Sequence, residues 1–299
     1  MNKKTLISFI TVNYNGIKDT CELIQSIHSH ITSVDYEIIV VDNASVNNEA
    51  ADLQNKFPTI IAIRSEKNLG FAGGNNLGIK IAQSKYLFFI NNDTLLKDDK
   101  IKRITDRLES NSRIAGVSPK IKDAIAPFNL QFAGFTKLSS ITLRNKTIGQ
   151  GCPDEESYNK PYITPYLHGA AMCIKKEAIE KVGLMPESFF LYYEELDWSM
   201  AFTRKGYELW YEPECTIYHK ESQSTGKIST SRTYYLTRNR LLLAYRNLSG
   251  LNKWISIIYQ ICIASIKNML FFLIKGKGNY SKAVIKGVND FIILKNKKF

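Results

Sequence analysis

Three groups of polar side chains have the types and spacing to do chemistry. The first is Asn91-Asn92-Asp93-Thr94, which breaks abruptly out of the apolar run Tyr86-Leu87-Phe88-Phe89-Ile90. A carboxylate placed there can hold a ligand or a divalent cation. Asn92, Asp93 and Thr94 could equally do no more than turn the chain and cap the next helix. The second group is Glu194-Glu195-Leu196-Asp197, three carboxylates in four positions after the aromatic run Phe189-Phe190-Leu191-Tyr192-Tyr193. Acids at a helix start complement its dipole. Acids that emerge from an apolar wall also tend to acquire separated pKa values, which suits one of them to proton transfer. The third group gathers Asn13-Tyr14 and Asp42-Asn43, each after an apolar run, with the glycine-rich Asn68-Leu69-Gly70-Phe71-Ala72-Gly73-Gly74-Asn75-Asn76. Glycines at a helix entry let backbone N–H groups approach a phosphate. The spacing is not G-x-G-x-x-G, which disfavours a dinucleotide-binding dehydrogenase.

The elements that must position these residues follow from periodicity. Five apolar or aromatic residues at 86–90 predict a strand buried on both faces, as in a parallel sheet covered by helices. Strands at 5–12, 36–41 and 59–64 alternate with helices at 17–30, 47–57 and from about 70 to 84. That order predicts an α/β fold with a parallel, right-handed wound sheet. Ligands of such sheets lie beyond the carboxyl ends of the strands, where Asn13, Asp42 and Asp93 would meet. A helix at 98–110 and a short strand at 114–117 follow, then a mixed stretch, 120–162, that reads as an insertion near the site. Its Asp154-Glu155-Glu156 reads as solvated surface. His168-Gly169-Ala170-Ala171-Met172 opens another apolar strand, and a strand over 208–218 ends just before His219.

Composition narrows the classes. The 299 residues contain five scattered cysteines without a C-x-x-C pair, which argues against a disulfide framework and a structural zinc. The N-terminal apolar run carries Thr5, Ser8 and Thr11 and reads as a strand, not as a signal peptide. The net charge of +12 is uneven: residues 1–219 hold 25 basic and 26 acidic side chains, residues 220–299 hold 15 and 2. The tail from 231 reads as helical. Its stretch 254–274 has Lys267 as its single charge and a polar stripe at Ser256, Gln260, Ala264 and Lys267/Asn268. This fits a helix lying in the interface of an anionic membrane, a packed hairpin or subunit interface, or a span. The basic, aromatic stretch 232–246 also raises a nucleic-acid-binding protein, although a nucleic-acid partner is not expected.

Taken as an ordered set, Val12-Asn13-Tyr14-Asn15-Gly16, Val41-Asp42-Asn43-Ala44-Ser45, Asn68 to Asn75 and Asn91-Asn92-Asp93 resemble the successive motifs of family 2 glycosyltransferases. The resemblance is to the rhamnosyltransferase-like branch and covers roughly residues 5–240. It implies a GT-A-type nucleotide-sugar-binding wound sheet followed by a helical C-terminal tail. The catalytic domain would occupy residues 1–230, with a donor half to about 120, an acceptor and catalytic half from about 121, and the tail at 231–299. The implied activity is inverting transfer from a nucleotide-sugar, dTDP-rhamnose first, with a UDP-hexose or UDP-galactofuranose as alternatives. The acceptor would be a cell-surface polysaccharide or a lipid-linked glycan. A non-catalytic nucleotide-sugar-binding paralogue is the other alternative.

Carried over by position, Asn13, Tyr14, Asp42, Asn68, Gly70, Asn75 and Asn92 would bind the donor. Asp93 and His219, which lies 24 residues beyond Glu195, would hold Mg²⁺ or Mn²⁺ with the donor's diphosphate. Asn91 stands where many relatives carry a second metal-binding Asp. Glu195 would be the general base with Glu194 as its competitor, and Gly169, Ala170, Asp197 and Trp198 would lie on the acceptor side. The expected location is cytoplasmic, at the inner face of the plasma membrane, as one chain or with a second copy.

Overall fold

The fold is described from a computed structural model, over residues 6–220 and 229–295. The first half follows its periodicity. Strands β1 (Leu6–Asn13), β2 (Asp35–Asp42), β3 (Ile61–Arg64) and β4 (Tyr86–Ile90) alternate with helices α1 (Ile17–His30), α2 (Glu49–Lys56) and α3 (Gly70–Ile81). β1 pairs in parallel with β2 and β4, and β2 with β3. All five residues of β4 are buried. Alternate side chains feed two layers: Phe9, Tyr86 and Phe88 on one face, Ile10, Leu87 and Phe89 on the other.

The second half departs from an all-parallel sheet. After β5 (Thr94–Leu95) and α4 (Ile101–Glu109) come β6 (Ile114–Asp123) and β7 (Leu130–Phe132). β8 (Tyr162–Ile163), β9 (Ala171–Lys175), α5 (Lys176–Val182), α6 (Glu194–Arg204) and β10 (Glu208–His219) complete it. The sheet order is β3-β2-β1-β4-β9-β6-β10-β5. β9 runs antiparallel to both β4 and β6, while β10 runs parallel to β6. This antiparallel strand lets a distant segment reach the site. The N-terminal end of β9, at Gly169–Ala170, lies beside the C-terminal end of β4, where the Asn91 N–H donates to the Ala170 carbonyl at 2.9 Å. β6 extends to Asp123, well past the short strand expected at 114–117.

Three helices close the chain: α7 (Thr230–Asn247), α8 (Gly250–Ile274, with a π-helical segment at Tyr259–Ser265) and α9 (Gly278–Lys295). α7 packs into the body of the fold. Leu241, Leu242, Leu243 and Ala244 are fully buried and join Phe189 and Leu196 in a third core. α8 packs on the same body through its polar residues. Its polar stripe turns inward, where Ser256 Oγ donates to the Ile141 carbonyl at 2.8 Å and Gln260 Nε2 donates to the Thr142 carbonyl at 2.9 Å. The apolar face, with Trp254, Ile255, Ile258, Ile263, Ile266, Leu270, Phe271, Leu273 and Ile274, is exposed.

Candidate active site

The strand directions bring the ends of β1, β2, β4, β6 and β10 and the start of β9 to one sheet edge. At that edge Asp93 Oδ1 lies 3.1 Å from His219 Nε2, with both side chains 10% exposed. The ring orientation is set from behind. Gln131 Nε2 donates to Asp123 Oδ1 at 2.7 Å and to the His219 carbonyl at 3.0 Å, two groups that can only accept. The Gln131 amide is therefore fixed with its oxygen toward His219 Nδ1, 2.7 Å away, and Nδ1 must carry the proton. The Nε2 lone pair then faces the Asp93 carboxylate, an arrangement that needs a proton or a cation between them. This is the tautomer a metal-binding histidine requires, held by an outer partner. Among the described residues no group of three or more His, Cys, Asp or Glu could hold a metal ion. Asp93 and His219 fit a cation that takes its remaining ligands from a bound diphosphate and water, and do not form a closed protein cage.

The acid pair sits where α6 leaves a strained loop. Phe190, Tyr192 and Tyr193 have φ of 65°, 70° and 76°, left-handed conformations that cost non-glycine residues about 1–3 kcal/mol each. Helix α7 holds this loop in place. Asn239, fully buried, donates through Nδ2 to the carbonyls of Phe189 (2.9 Å), Leu191 (2.7 Å) and Tyr192 (2.9 Å). Arg238 Nη2 donates to the carbonyls of Ser188 at 3.0 Å and Phe189 at 2.6 Å. From the other side, the Phe71 N–H donates to the Phe190 carbonyl at 2.8 Å. Gly70 makes that approach feasible: its φ is +71°, and a Cβ there would stand 2.1 Å from the Phe190 oxygen.

Within this frame the two glutamates differ. Glu194 is 3% exposed, its Oε2 has no hydrogen-bond partner, and burial followed by the nearby Glu195 raises its pKa well above the usual carboxylate range. Glu195 is partly open, yet burial pushes its pKa up to about 7, against backbone N–H groups of the helix start that lower it. It lies against Gly169, where a Cβ would come within 3.7 Å of Glu195 Cγ. A carboxyl poised near neutrality beside a side-chain-free position is suited to take a proton from an entering hydroxyl. His168 is packed on Phe132 and parallel to Phe135, and burial with the neighbouring His219 lowers its pKa to about 3. It is therefore a neutral wall of the site.

Several expected contacts take other partners. Asp197, 2% exposed, is gripped by Arg246 Nε and Nη2 at 3.0 and 3.1 Å and by Asn247 at 2.6 Å, which locks α6 to α7. Trp198 is buried core, its Nε1 donating to the Gly183 carbonyl at 2.9 Å. These two residues, expected on the acceptor side, are buried and brace α6. Asn13 is fully buried, donating to Glu49 at 2.6 Å and accepting from Thr20 at 2.7 Å. Asp42, equally buried, pairs with Arg64 at 2.8 Å, and the Arg64 side chain is 33% exposed. The glycine-rich helix entry has already spent its N–H groups. Those of Leu69 and Gly70 go to Asn43 and Asn68 side chains at 2.9 Å, and that of Phe71 goes to Phe190. Asn75 donates to the Phe71 carbonyl at 3.0 Å, Asn92 to Thr20 at 3.1 Å, and Tyr14 is 52% exposed. Ala170 is buried behind Gly169.

Sheet order, strand-end acids and loop-held carboxylates together define a GT-A fold. The chain belongs to glycosyl transferase family 2, whose model matches residues 8–183, more than half of its length. It is similar to the low-salt glycan biosynthesis hexosyltransferase Agl10 of Haloferax volcanii, with 27% identity over 245 residues, 79% of this chain and 74% of that protein. It is also similar to dTDP-rhamnosyl transferase RfbF of Shigella flexneri, with 24% identity over 225 residues, 70% and 71% of the two chains. Among solved structures, GalNAc-T7 with UDP, GalNAc and Mn²⁺ superposes with a TM-score of 0.62 at 13% identity, covering 89% of this chain and 58% of that one. The mannosyltransferase PcManGT of Pyrobaculum calidifontis, with GDP-Man and Mn²⁺, gives 0.56 at 12% identity over 98% and 76%.

Proposed function

We propose that this glycosyltransferase moves a sugar, with inversion, from a nucleotide-sugar to a hydroxyl of a glycan or lipid-linked glycan, with Glu195 as general base. The observation that carries the reading is Glu195 itself, a carboxyl with a pKa of about 7 set against Gly169 at the β9 start, on the edge shared with Asp93 and His219. The acceptor hydroxyl approaches over Gly169 and gives its proton to Glu195. The new oxygen–carbon bond forms at the anomeric carbon as the bond to the diphosphate oxygen breaks on the opposite face. Burial and the neighbouring Glu195 raise the Glu194 pKa well above the usual carboxylate range, which disfavours a second negative charge beside an ionised Glu195. Asp93 and His219 would hold Mg²⁺ or Mn²⁺, which supplies positive charge to the departing diphosphate. Tyr14, exposed beside Asn13, and the Arg64 side chain, paired with Asp42, are the groups to which the nucleotide base is assigned.

The donor reading is dTDP-rhamnose, supported by the similarity to RfbF; a UDP-hexose is the second reading, since Agl10 is a hexosyltransferase. The exposed apolar face of α8 and the lysines near it, Lys275, Lys277 and Lys282, support attachment to an anionic membrane surface from the cytoplasmic side. A thermal-shift panel of dTDP-, UDP- and GDP-sugars, with and without Mn²⁺, tests the assignment. A metal-dependent rise with dTDP-rhamnose above the other donors is expected. No shift with any nucleotide-sugar would contradict it.

A further inference from the structure

His168 stands at the turn into β9, between the two halves of the site. The next residue, Gly169, lies against Glu195, and the Ala170 carbonyl accepts the N–H of Asn91, which opens the Asn91-Asn92-Asp93 segment. The surroundings fix the His168 ring. It lies parallel to the Phe135 ring, with 5.8 Å between centres, and packs on Phe132 at 4.9 Å. The His168 N–H donates to Ser118 Oγ at 2.9 Å and pins the backbone. The Ala170 N–H donates to Nδ1 at 3.1 Å. A backbone N–H can only donate, so Nδ1 is the bare nitrogen and Nε2 carries the proton. Among the described residues Nε2 has no hydrogen-bond partner, and it is not one of their sealed polar atoms. The half-buried ring therefore turns one N–H donor to the open side of the site.

This donor stays neutral. A second ring proton would set Nδ1–H against the Ala170 N–H, and burial with the neighbouring His219 lowers the His168 pKa to about 3. With its proton on Nε2 the ring offers no lone pair there, so it is not a third metal ligand. We propose that the Nε2–H of His168 donates a hydrogen bond to a diphosphate oxygen of the sugar donor, beside the edge formed by Asp93 and His219. The proposal rests on the glycosyltransferase reading for calling that diphosphate the leaving group. Hydrogen bonds to a charged oxygen are roughly twice as strong as those between neutral groups, which favours a phosphoryl oxygen over a sugar hydroxyl. The same oxygens gain negative charge as the bond to the anomeric carbon breaks, so a donor already held in place helps most in the transition state. An imidazolium would also repel a cation at Asp93 and His219. A neutral ring does not.

The test compares His168→Phe, which keeps a flat ring on Phe135 without the donor, with His168→Gln, whose amide N–H reaches about as far as Nε2. The full-length protein is titrated calorimetrically with dTDP, UDP, dTMP and UMP, each with and without Mn²⁺. The better-bound nucleoside diphosphate should lose about tenfold in affinity in His168→Phe under both conditions, and its monophosphate about twofold or less. His168→Gln should recover most of that loss. In transfer, kcat should fall by roughly 10²–10³ in His168→Phe, with the rising limb of the pH profile unmoved. In ¹⁵N spectra of the four histidines, His168 should keep the Nε2–H tautomer across the neutral range, and its Nε2 resonance should shift on adding the nucleoside diphosphate. Normal diphosphate affinity in His168→Phe would overturn the proposal, as would equal losses for diphosphate and monophosphate. Equal defects in both variants would make the ring a packing residue, and a loss confined to intact nucleotide-sugars would assign the N–H to the sugar; either result overturns the contact. If His168→Phe does not fold, an Nε2 resonance that ignores the nucleoside diphosphate refutes it. Wild-type protein that binds neither nucleoside diphosphate would refute the glycosyltransferase reading and the contact together, whereas normal affinity in His168→Phe refutes the contact alone.

Discussion

Replacing Asn239 by alanine tests whether α7 builds the active site from behind. The substitution removes the donor shared by the carbonyls of Phe189, Leu191 and Tyr192, in a place with no exposure. A buried acceptor left without a partner costs about 1–3 kcal/mol. The Phe189 carbonyl keeps Arg238, so the loss falls on the carbonyls of Leu191 and Tyr192 and comes to about 2–4 kcal/mol if the loop keeps its shape. The loop has a reason not to keep it, because three left-handed aromatic residues store strain of about 1–3 kcal/mol each. Relaxation would move the start of α6 and with it Glu195. A displacement on the scale of 1 Å costs roughly 10²-fold in rate. The expected result is a kcat lowered by roughly 10²-fold or more, with nucleotide affinity nearly unchanged and a melting temperature lower by about 10 °C. Turnover and thermal unfolding are the assays. Wild-type kcat together with a wild-type melting temperature would refute the idea that Asn239 holds the catalytic loop.

Four further outcomes follow. Because Glu195 must be ionised to accept a proton, kcat/KM should rise with pH to a plateau above about 7, with an apparent pKa belonging to the Glu194–Glu195 pair. Its folded pKa is raised, so between 4.5 and about 7 the folded state holds a proton that the unfolded state has lost; stability should fall as pH rises through that window, and Glu195→Gln should flatten the slope in chemical unfolding. Asp93→Ala should abolish transfer and remove the metal dependence of nucleotide binding, leaving His219 and Gln131 paired; undiminished transfer by this variant would refute the site assignment. Ile266→Asp with Leu273→Asp, both on the exposed face of α8, should lower flotation with anionic vesicles without lowering the melting temperature, and persistence of flotation would exclude that face as the contact.

The first half of the fold was legible because each element there has one dominant period. Buried runs such as 86–90 read as strands, and their polar ends fell on one edge as wound-sheet geometry requires. The antiparallel insertion of β9 was not legible, since an apolar strand does not carry its direction in its composition. The glycines of the 68–76 segment read as a phosphate cradle. In the structure Gly70 admits the Phe190 carbonyl, and Gly78 lets α3 sit on Ile10, where a Cβ would come within 2.4 Å. Permissive backbone looks the same in sequence whether a ligand or another chain segment approaches.

Gln131 gave no signal, because one amide in a mixed loop is indistinguishable from surface until its partners Asp123 and His219 are placed. The arginines of 238–246 were read as a charged tail. Arg238 and Arg246 are spent on the loop and on Asp197. A sequence count of charge does not show which charges are buried. Asp154, read as solvated surface, instead anchors the buried Lys120 at 2.8 Å.

The central claim, that Glu195 is the base of a nucleotide-sugar transfer, is tested most directly by comparing Glu195→Gln with Glu194→Gln in a transfer assay with the donor identified by thermal shift. Glu195→Gln keeps the shape and should leave donor affinity within twofold while lowering the rate of transfer by roughly 10²–10⁴. Glu194→Gln, which replaces a carboxyl already protonated, should lose far less. The reverse order would make Glu194 the base, and equal, small losses from both would contradict general-base catalysis by this pair.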